Sequence, residues 1–305
     1  MSKIALPILL LTLCACPALA HDGAGHGSIG WTFDVWILGP IAASGICYAA
    51  GLARLRRRSS IARVTSASVA FFWCGWLGLV VALVSPIHEF GEHLFTAHMV
   101  EHEILMAVSA PLLALSRPMG IIVWAMPRRV RHWLSRFLNL REARAGWDAM
   151  SRPSTATILH AAAIWIWHHP AFFDATVSSV LLHRLQHWSF FLSALVFWWA
   201  MIWRSDYGMA AFDLLLTMLH TAILGALIAL APRVAYVHQT QDAVSWGLTP
   251  LEDQQLAGVV MWVPAGVVYA GVALFLLALW IKQSAHPVNE TAAVMLLPPG
   301  EDVKL

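Results

Sequence analysis

Charged residues are scarce in this sequence. Only 12% of its 305 residues are Asp, Glu, Lys or Arg, whereas 59% are hydrophobic; soluble domains carry about 25% charged residues. A chain of this composition cannot cover its surface with solvated side chains, which excludes a soluble globular protein. The net charge of +2 gives no basis for a nucleic-acid partner.

Cysteines are also few. Two of the four, Cys14 and Cys16, lie in an apolar run after Lys3 that ends in Ala-Leu-Ala before His21. This pattern predicts a signal peptide over residues 1–20, with a weaker alternative as a lipoprotein anchored at Cys16. Residues 21–32 would then form an external, histidine-containing stub. Cys47 and Cys74 are isolated in apolar segments, which argues against a thiol-based redox or zinc site.

Motifs for catalysis are missing as well. The sequence has no nucleophile with an adjacent base, no phosphate-binding loop and no paired carboxylates. We therefore predict that the protein is not an enzyme. A hydrolytic zinc site remains a minor alternative, because it would also place a carboxylate beside histidines.

The sequence contains several long apolar segments. A transmembrane helix needs roughly 20 apolar residues and satisfies its own backbone hydrogen bonds. The sequence therefore predicts an all-α, polytopic membrane protein, a seven-transmembrane helix bundle within residues 33–281 and surrounded by membrane lipid. The fourth span is short and needs extension or a locally thin bilayer. The predicted spans are Phe33–Leu52, Ser66–Ser85, Leu94–Leu115, Ser154–Trp167, His183–Trp203, Met209–Ala231 and Leu256–Ile281.

Arginine is distributed unevenly between the loops. It is concentrated between the first two spans and in a basic loop at about residues 116–153, whereas the opposite side holds only Arg184 and Arg233. The positive-inside rule then places the N-terminus outside and the C-terminus in the cytoplasm. Within the basic loop, residues 128–144 predict an amphipathic helix on the inner leaflet, or else a partner-binding surface. We expect residues 282–305 to be a disordered cytoplasmic tail.

With this orientation, most histidines fall at the outer ends of the spans. Two pairs are separated by four residues, His98 with His102 and His183 with His187. On an α-helix this spacing places two imidazoles on one face, about 6 Å apart along the axis. Two such pairs on adjacent helices, with His168 at the same depth, form a set of nitrogen ligands suited to copper, zinc or haem iron.

Other side chains are candidates for supporting roles. Met106 lies near the His98 face by helical angle, and a thioether would favour Cu(I). Of Glu101 and Glu103, which flank His102, one is expected to orient an imidazole and the other to face external water. His21 and His26 of the stub are candidate ligands that recruit a metal, with an ordinary flexible N-terminus as the alternative. His220 and Asp213 share a helix face deeper in the bundle, where an interhelical hydrogen bond is the first interpretation. The remaining auxiliary candidates at the outer face are His88, His93 and Asp253.

Several motifs in order also resemble a known family. They are His98-Met-Val-Glu-His102 followed by Ala110-Pro111 and Ser116-Arg117-Pro118, then Trp167-His168-His169-Pro170, His183 and His187 with Phe197-Trp198-Trp199, and Asp253-Gln254-Gln255 with Met261-Trp262-Val263-Pro264. From about His88 to Pro264 the sequence resembles the CtaG-like family of multispanning cytochrome c oxidase assembly factors. Glu101 stands where many relatives have Gln.

The resemblance implies a purpose and a location. It implies a metallochaperone of the bacterial inner (plasma) membrane, multi-pass, that helps insert copper into a haem-copper cytochrome c oxidase of the respiratory chain. The implied partners are oxidase subunits and other copper chaperones. The family's histidine motifs map onto His98, His102, His168, His183 and His187.

The sequence leaves two alternatives to copper delivery. A haem-binding protein would use His98 or His102 together with His183 or His187 as axial ligands. A metal transporter would need polar groups through the cytoplasmic half, where the sequence offers little besides Asp213 and the cysteines. A Soret band in the purified protein would identify haem.

Overall fold

Residues 30–58 and 64–295 are described by a computed structural model of the chain. The described part is all-helical, and it contains no β-strand. The predicted signal peptide and its stub, including His21 and His26, lie outside the described residues, as do residues 296–305. All the elements below belong to the unit of residues 31–305.

Helices form at every predicted span. In chain order the helices are α1 (Val35–Arg58), α2 (Ser66–Leu83), α3 (Pro86–His93), α4 (Phe95–Glu103), a π-helix (Ile104–Ser109), α5 (Ala110–Ser116), α6 (Pro118–Ala125), α7 (Arg128–Leu138), α8 (Arg141–Met150), α9 (Pro153–Trp167), α10 (Pro170–Ser178), α11 (Val180–Trp203), α12 (Tyr207–Ala229), a 3-10 turn (Ala243–Trp246) and α13 (Pro250–Met295).

Six helical segments among the described residues are long and apolar enough to cross a membrane. The run from α4 through the π-helix to α5 counts as one of them. The seventh predicted span corresponds to α9, which has 15 residues. The six segments are Val35–Arg57, Ser66–Leu83, Phe95–Ser116, Val180–Trp203, Tyr207–Ala229 and Pro250–Ala285.

The helix starts follow from local chemistry. Ser179 accepts a hydrogen bond from the Leu182 backbone N–H at the start of α11, and Asp206 accepts one from Met209 at the start of α12. Such caps satisfy amide groups that have no partner within the helix. Proline occupies the first helical position of α3, α6, α9, α10 and α13, where its missing N–H is not needed.

Two features differ from the sequence-based expectation. Short helices α3 and α10 occupy the predicted external loops and lie over the end of the bundle that carries His98 and His183. The last helix continues to Met295, so residues 282–295 are helical where we expected disorder. A composition-based prediction counts only hydrophobic burial, whereas a helix that has already formed extends at little further free-energy cost.

Aromatic side chains fill the core around α11. Phe190, Phe197 and Trp198 are almost fully buried, and the Trp198 ring stacks on Tyr269 of α13. Helices α12 and α13 approach so closely that a Cβ atom on Gly258 would lie only 2.4 Å from the Ala229 backbone nitrogen. Small residues at such crossings permit backbone contact between membrane helices. This packing holds α4, α9 and α11 together at one end of the bundle.

Candidate metal centre

The two histidine pairs face each other across α4 and α11. The ring centroids of His98 and His102 are 4.3 Å apart, and those of His183 and His187 are 4.4 Å apart. Between the helices, His187 lies 5.5 Å from His98 and 5.0 Å from His102, measured between ring centroids. The structure therefore brings all four imidazoles into one group.

Three of these side chains have the closest ligand geometry. One nitrogen each from His98, His183 and His187 lie within 4.8 Å of one another. Nitrogens bound to a common metal ion at about 2 Å lie somewhat closer together than this. Small rotations of the rings would therefore bring all three onto one ion.

His168 joins the group from the end of α9. Its Nδ1–H donates a hydrogen bond of 2.8 Å to the Ile164 carbonyl. Because a carbonyl only accepts, this bond fixes the tautomer and leaves the lone pair on Nε2. Burial lowers the pKa of His168 to about 4, so the ring is neutral. Its centroid lies 6.1 Å from that of His102. We call His98, His102, His168, His183 and His187 the histidine cluster.

Glu101 is not a member of the histidine cluster, but it contacts two imidazoles, those of His88 and His187. Its carboxylate is fully buried and accepts a 2.8 Å hydrogen bond from His88 Nδ1. The same oxygen lies 3.2 Å from His187 Nδ1. Burial lowers the pKa of His88, but the Glu101 carboxylate opposes this and the net effect raises it. By facing Nδ1 of His187, Glu101 turns Nε2 of that ring toward the histidine cluster.

The histidine cluster has many buried nitrogens without partners among the described residues. Both ring nitrogens of His98 and of His102 are in this state, as is Nε2 of His168, His183 and His187. A buried polar atom without a hydrogen bond is costly. Neutral imidazoles with free lone pairs are the usual ligands of copper and zinc. The residues present therefore fit a bound transition-metal ion.

Apolar and glycine residues shape the space around the rings. Phe173 of α10 lies 5.2 Å from His98, and Phe190 lies 4.6 Å from His102, between ring centroids. A side chain on Gly91 of α3 would come within 3.1 Å of Glu101 Oε2. Glycine at this position therefore lets α3 pack directly over Glu101 and His98.

Asp253 supports the site by capping α4. Its carboxylate accepts hydrogen bonds from the backbone N–H groups of Phe95 and Thr96 at 2.8 and 2.9 Å. It also accepts one from the Thr96 hydroxyl at 2.7 Å. Sequence reasoning expected a supporting role for Asp253 near the imidazoles, and the structure places it at the first turn of the helix that carries His98.

The loop between α12 and α13 braces the same region. Tyr236 donates its hydroxyl hydrogen to the His168 carbonyl, with an O···O distance of 2.5 Å. Gln239 donates a 2.8 Å hydrogen bond to the Gly91 carbonyl, and Gln254 accepts from the Ala235 and Tyr236 amides. These contacts hold α3 and the end of α9 against α13.

Four other predicted residues lie apart from the histidine cluster. His93 contacts Asp242 at 2.9 Å near the surface. His220 accepts a 3.4 Å hydrogen bond from Trp165, and the buried Asp213 belongs to the same helix, two turns earlier. Met106 falls in the π-helix and packs in the aromatic core.

One buried polar residue was missed by sequence reasoning. Gln186 precedes His187, is fully buried, and both polar atoms of its amide have no partner among the described residues. Its position between His183 and His187 was the available signal. Since an amide both donates and accepts, Gln186 can hydrogen-bond an imidazole N–H or a further ligand of the metal.

Comparison with known proteins gives a family and distant relatives. A model of the family described as cytochrome c oxidase caa3 assembly factor matches residues 46–283. The chain is similar to uncharacterized proteins of Mycobacterium bovis and Mycobacterium tuberculosis, each 27% identical over 267 residues, which are 83% of this chain and 40% of the relative. A Mycobacterium leprae relative is 25% identical over 268 residues with the same coverage.

The chain spans about 40% of the length of these curated relatives. No solved structure matches it.

Proposed function

The chain belongs to the cytochrome c oxidase caa3 assembly factor family, and on this basis we propose that it binds copper in the histidine cluster and passes it to a haem-copper oxidase during assembly. The observation that carries the proposal is the set of converging buried imidazoles whose nitrogens lack other partners. In two of them, Nδ1 faces an acceptor, Ile164 for His168 and Glu101 for His187, so that Nε2 is available to a metal.

The chemistry required is capture and release without bond cleavage. Neutral imidazoles bind copper through nitrogen lone pairs, and the buried Glu101 carboxylate offsets part of the ion's charge from behind His187. Release proceeds by ligand exchange, in which an acceptor's ligands replace imidazoles one at a time. Copper is the cargo and keeps its oxidation state, so no electron donor is needed.

The packing of the rings favours an ion over haem. The imidazoles lie 4.3 to 6.1 Å from their neighbours in the cluster, between centroids, and aromatic rings pack directly against them. A bis-histidine haem needs a flat macrocycle between its two axial rings. An ion fits between rings at these separations.

The proposed topology has seven spans, with the histidine cluster outside. Helix α9 runs alongside α11. At one end, the ring centroids of His168 and Phe190 are 5.5 Å apart. At the other end, those of Trp147, which precedes α9, and Trp199 are 6.0 Å apart. At about 1.5 Å per residue α9 is shorter than a bilayer core, so this crossing requires a locally thinner bilayer. The arginine-rich loops lie at the opposite end, which the positive-inside rule assigns to the cytoplasm of a bacterial inner membrane.

Replacing His102 and His187 together tests this function. We expect His102→Ala/His187→Ala to abolish stoichiometric copper binding by the purified protein. In a strain lacking the chromosomal gene, we expect the same variant to lower oxidase activity to the level of the deletion. Copper content by mass spectrometry and oxygen consumption per oxidase subunit are the measurements.

The matched control is His132→Ala. His132 is exposed on α7 among the arginines, and its loss should leave copper content and oxidase activity unchanged. Wild-type copper content and oxidase activity in the double variant would contradict the proposal. An intense Soret band in wild-type protein would instead support the haem alternative.

A further inference from the structure

We propose that the histidine cluster contains two copper positions in series. The outer position is formed by His98, His183 and His187, and the inner position by His102 and His168. This inference rests on the proposed function, because it assumes that copper is the cargo, and it adds how many ions are held and in which order they enter.

The number of imidazoles exceeds what one ion can use. Tetrahedral sites take four ligands, whereas the histidine cluster presents five histidines, each with at least one buried nitrogen that lacks a partner. His98 and His102 each have both nitrogens in this state. One ion would therefore leave at least one imidazole with a buried nitrogen that has neither a metal nor a hydrogen-bond partner.

Three of the five rings have converging nitrogens, and the other two contact each other. The ligand nitrogens of His98, His183 and His187 converge within 4.8 Å. Among the imidazoles of the described residues, only His102 is in ring contact with His168, at 6.1 Å between centroids. Two imidazoles that share one ion through facing nitrogens have centroids roughly 6 Å apart, given metal–nitrogen distances of about 2 Å. The His102–His168 pair has this separation.

Cu(I) is the cargo that suits both positions. A closed-shell Cu(I) ion accepts either three imidazoles or a nearly linear pair, whereas zinc sites are almost always four-coordinate. The tautomer of His168 is already set by its bond to Ile164, so Nε2 is free to point at a shared ion. An ion held between His102 and His168 is therefore chemically reasonable without a third protein ligand.

Exposure gives the order of filling. His183 is only half-buried and His187 retains 8% exposure, whereas His98, His102 and His168 retain 1 to 2%. Along α4, His102 lies one turn deeper than His98. Along α11, His187 lies one turn deeper than His183. An ion arriving from outside therefore meets the outer position first and reaches the inner one through His98 and His187, which both flank His102.

Copper stoichiometry tests the two positions. Wild-type protein in detergent, under anaerobic reducing conditions, is titrated with Cu(I) against the chromophoric chelator bicinchoninate. We expect two Cu(I) per chain for the wild type and one for His168→Ala. His169→Ala is the matched control, because this adjacent histidine is exposed, and it should still bind two. If His168→Ala elutes as aggregate in gel filtration, His168→Gln replaces it, with the same expectation.

The order of entry is tested by His183→Ala. We expect it to bind one tight Cu(I), at the inner position, and to load that ion at least tenfold more slowly than wild type in stopped-flow titration. Wild-type protein that binds a single Cu(I), with His168→Ala unchanged at one, would overturn the two-position inference and leave the proposed function intact. Wild-type protein that binds no Cu(I) would overturn the proposed function itself.

Discussion

Glu101 is the residue that ties α3 to the two helices bearing the histidine pairs. It lies on α4 between His98 and His102, accepts a hydrogen bond from His88 and faces Nδ1 of His187. A buried carboxylate is costly unless it is paired, and here two imidazoles serve as partners. From this position we expect it to orient ligands of the proposed copper site.

Replacing Glu101 should weaken copper binding without removing a ligand. We expect Glu101→Ala to lower Cu(I) affinity by about 10- to 100-fold, the usual effect of losing a residue that orients metal ligands. Glu101→Gln, which keeps the shape and one acceptor, should lose less. Competition with bicinchoninate measures both, with Glu92→Gln as control because Glu92 is exposed on α3. Unchanged affinity in Glu101→Ala would exclude an orienting role.

The positions of individual site residues could be predicted from the sequence only in part. The i, i+4 spacing was enough to predict that His98 and His102 share a helix face, because that depends only on helical geometry. The position of Met106 relative to His98 could not be predicted in this way. The π-helix that starts at Ile104 alters the regular turn of the helix, so angles extrapolated from His98 no longer apply. Such π-helical turns are frequent at functional sites.

At the scale of elements, the site depends on how α4 begins. No side chain of its own N-terminal segment caps α4. The Asp253 carboxylate, from the first turn of α13, takes over this role and binds two backbone amides and a hydroxyl. The helix bearing His98 and His102 is therefore held by a residue that lies 158 positions after Phe95 in the chain.

Loss of this cap should loosen the site. We expect Asp253→Ala to destabilise the protein by about 1–2 kcal/mol, the upper part of the range for helix caps, and to weaken Cu(I) binding because the first turn of α4 frays. Thermal unfolding by circular dichroism and chelator competition are the measurements. Glu252→Ala is the control, since Glu252 is exposed and caps only its own helix. Equal melting temperatures for the two variants would contradict a special role for Asp253.

The long helices could be predicted from the sequence, but the short ones could not. Apolar length alone located the segments that became α2, α11 and α12 within three residues at each end, whereas α1 continues six residues past its predicted end at Leu52. Helices α3 and α10 contain the polar residues of apparent loops, and their place over the histidine cluster depends on tertiary contacts such as Gln239 with Gly91. Sequence periodicity carries no information about such contacts.

Over the whole molecule, the two ends of the bundle differ in chemistry. Histidines converge at one end. At the other, the Arg117 guanidinium lies 3.4 Å from the centroid of the Trp203 ring, and Arg204 pairs with Asp148. The same helices connect both ends, since α11 runs from His183 to Trp203 and the α4–α5 segment runs from His98 to Ser116. The orientation of the bundle therefore decides which compartment the histidine cluster faces.

Reporter fusions test the orientation. We expect green fluorescent protein at the C-terminus to fluoresce and alkaline phosphatase there to be inactive, since the arginine-rich end should be cytoplasmic. Alkaline phosphatase inserted after Val244, which is 69% exposed in the loop between α12 and α13, should be active. The reverse pattern would place the histidine cluster on the cytoplasmic side and contradict delivery of copper from the outer face.

X-ray absorption at the copper K-edge tests the central claim most directly. Wild-type protein loaded with Cu(I) should show nitrogen ligands at about 2 Å with the multiple scattering typical of imidazole. This signal should be lost from His102→Ala/His187→Ala and kept in His132→Ala. A spectrum dominated by sulfur ligands, or the same imidazole signal in the double variant, would show that the histidine cluster is not where the protein holds copper.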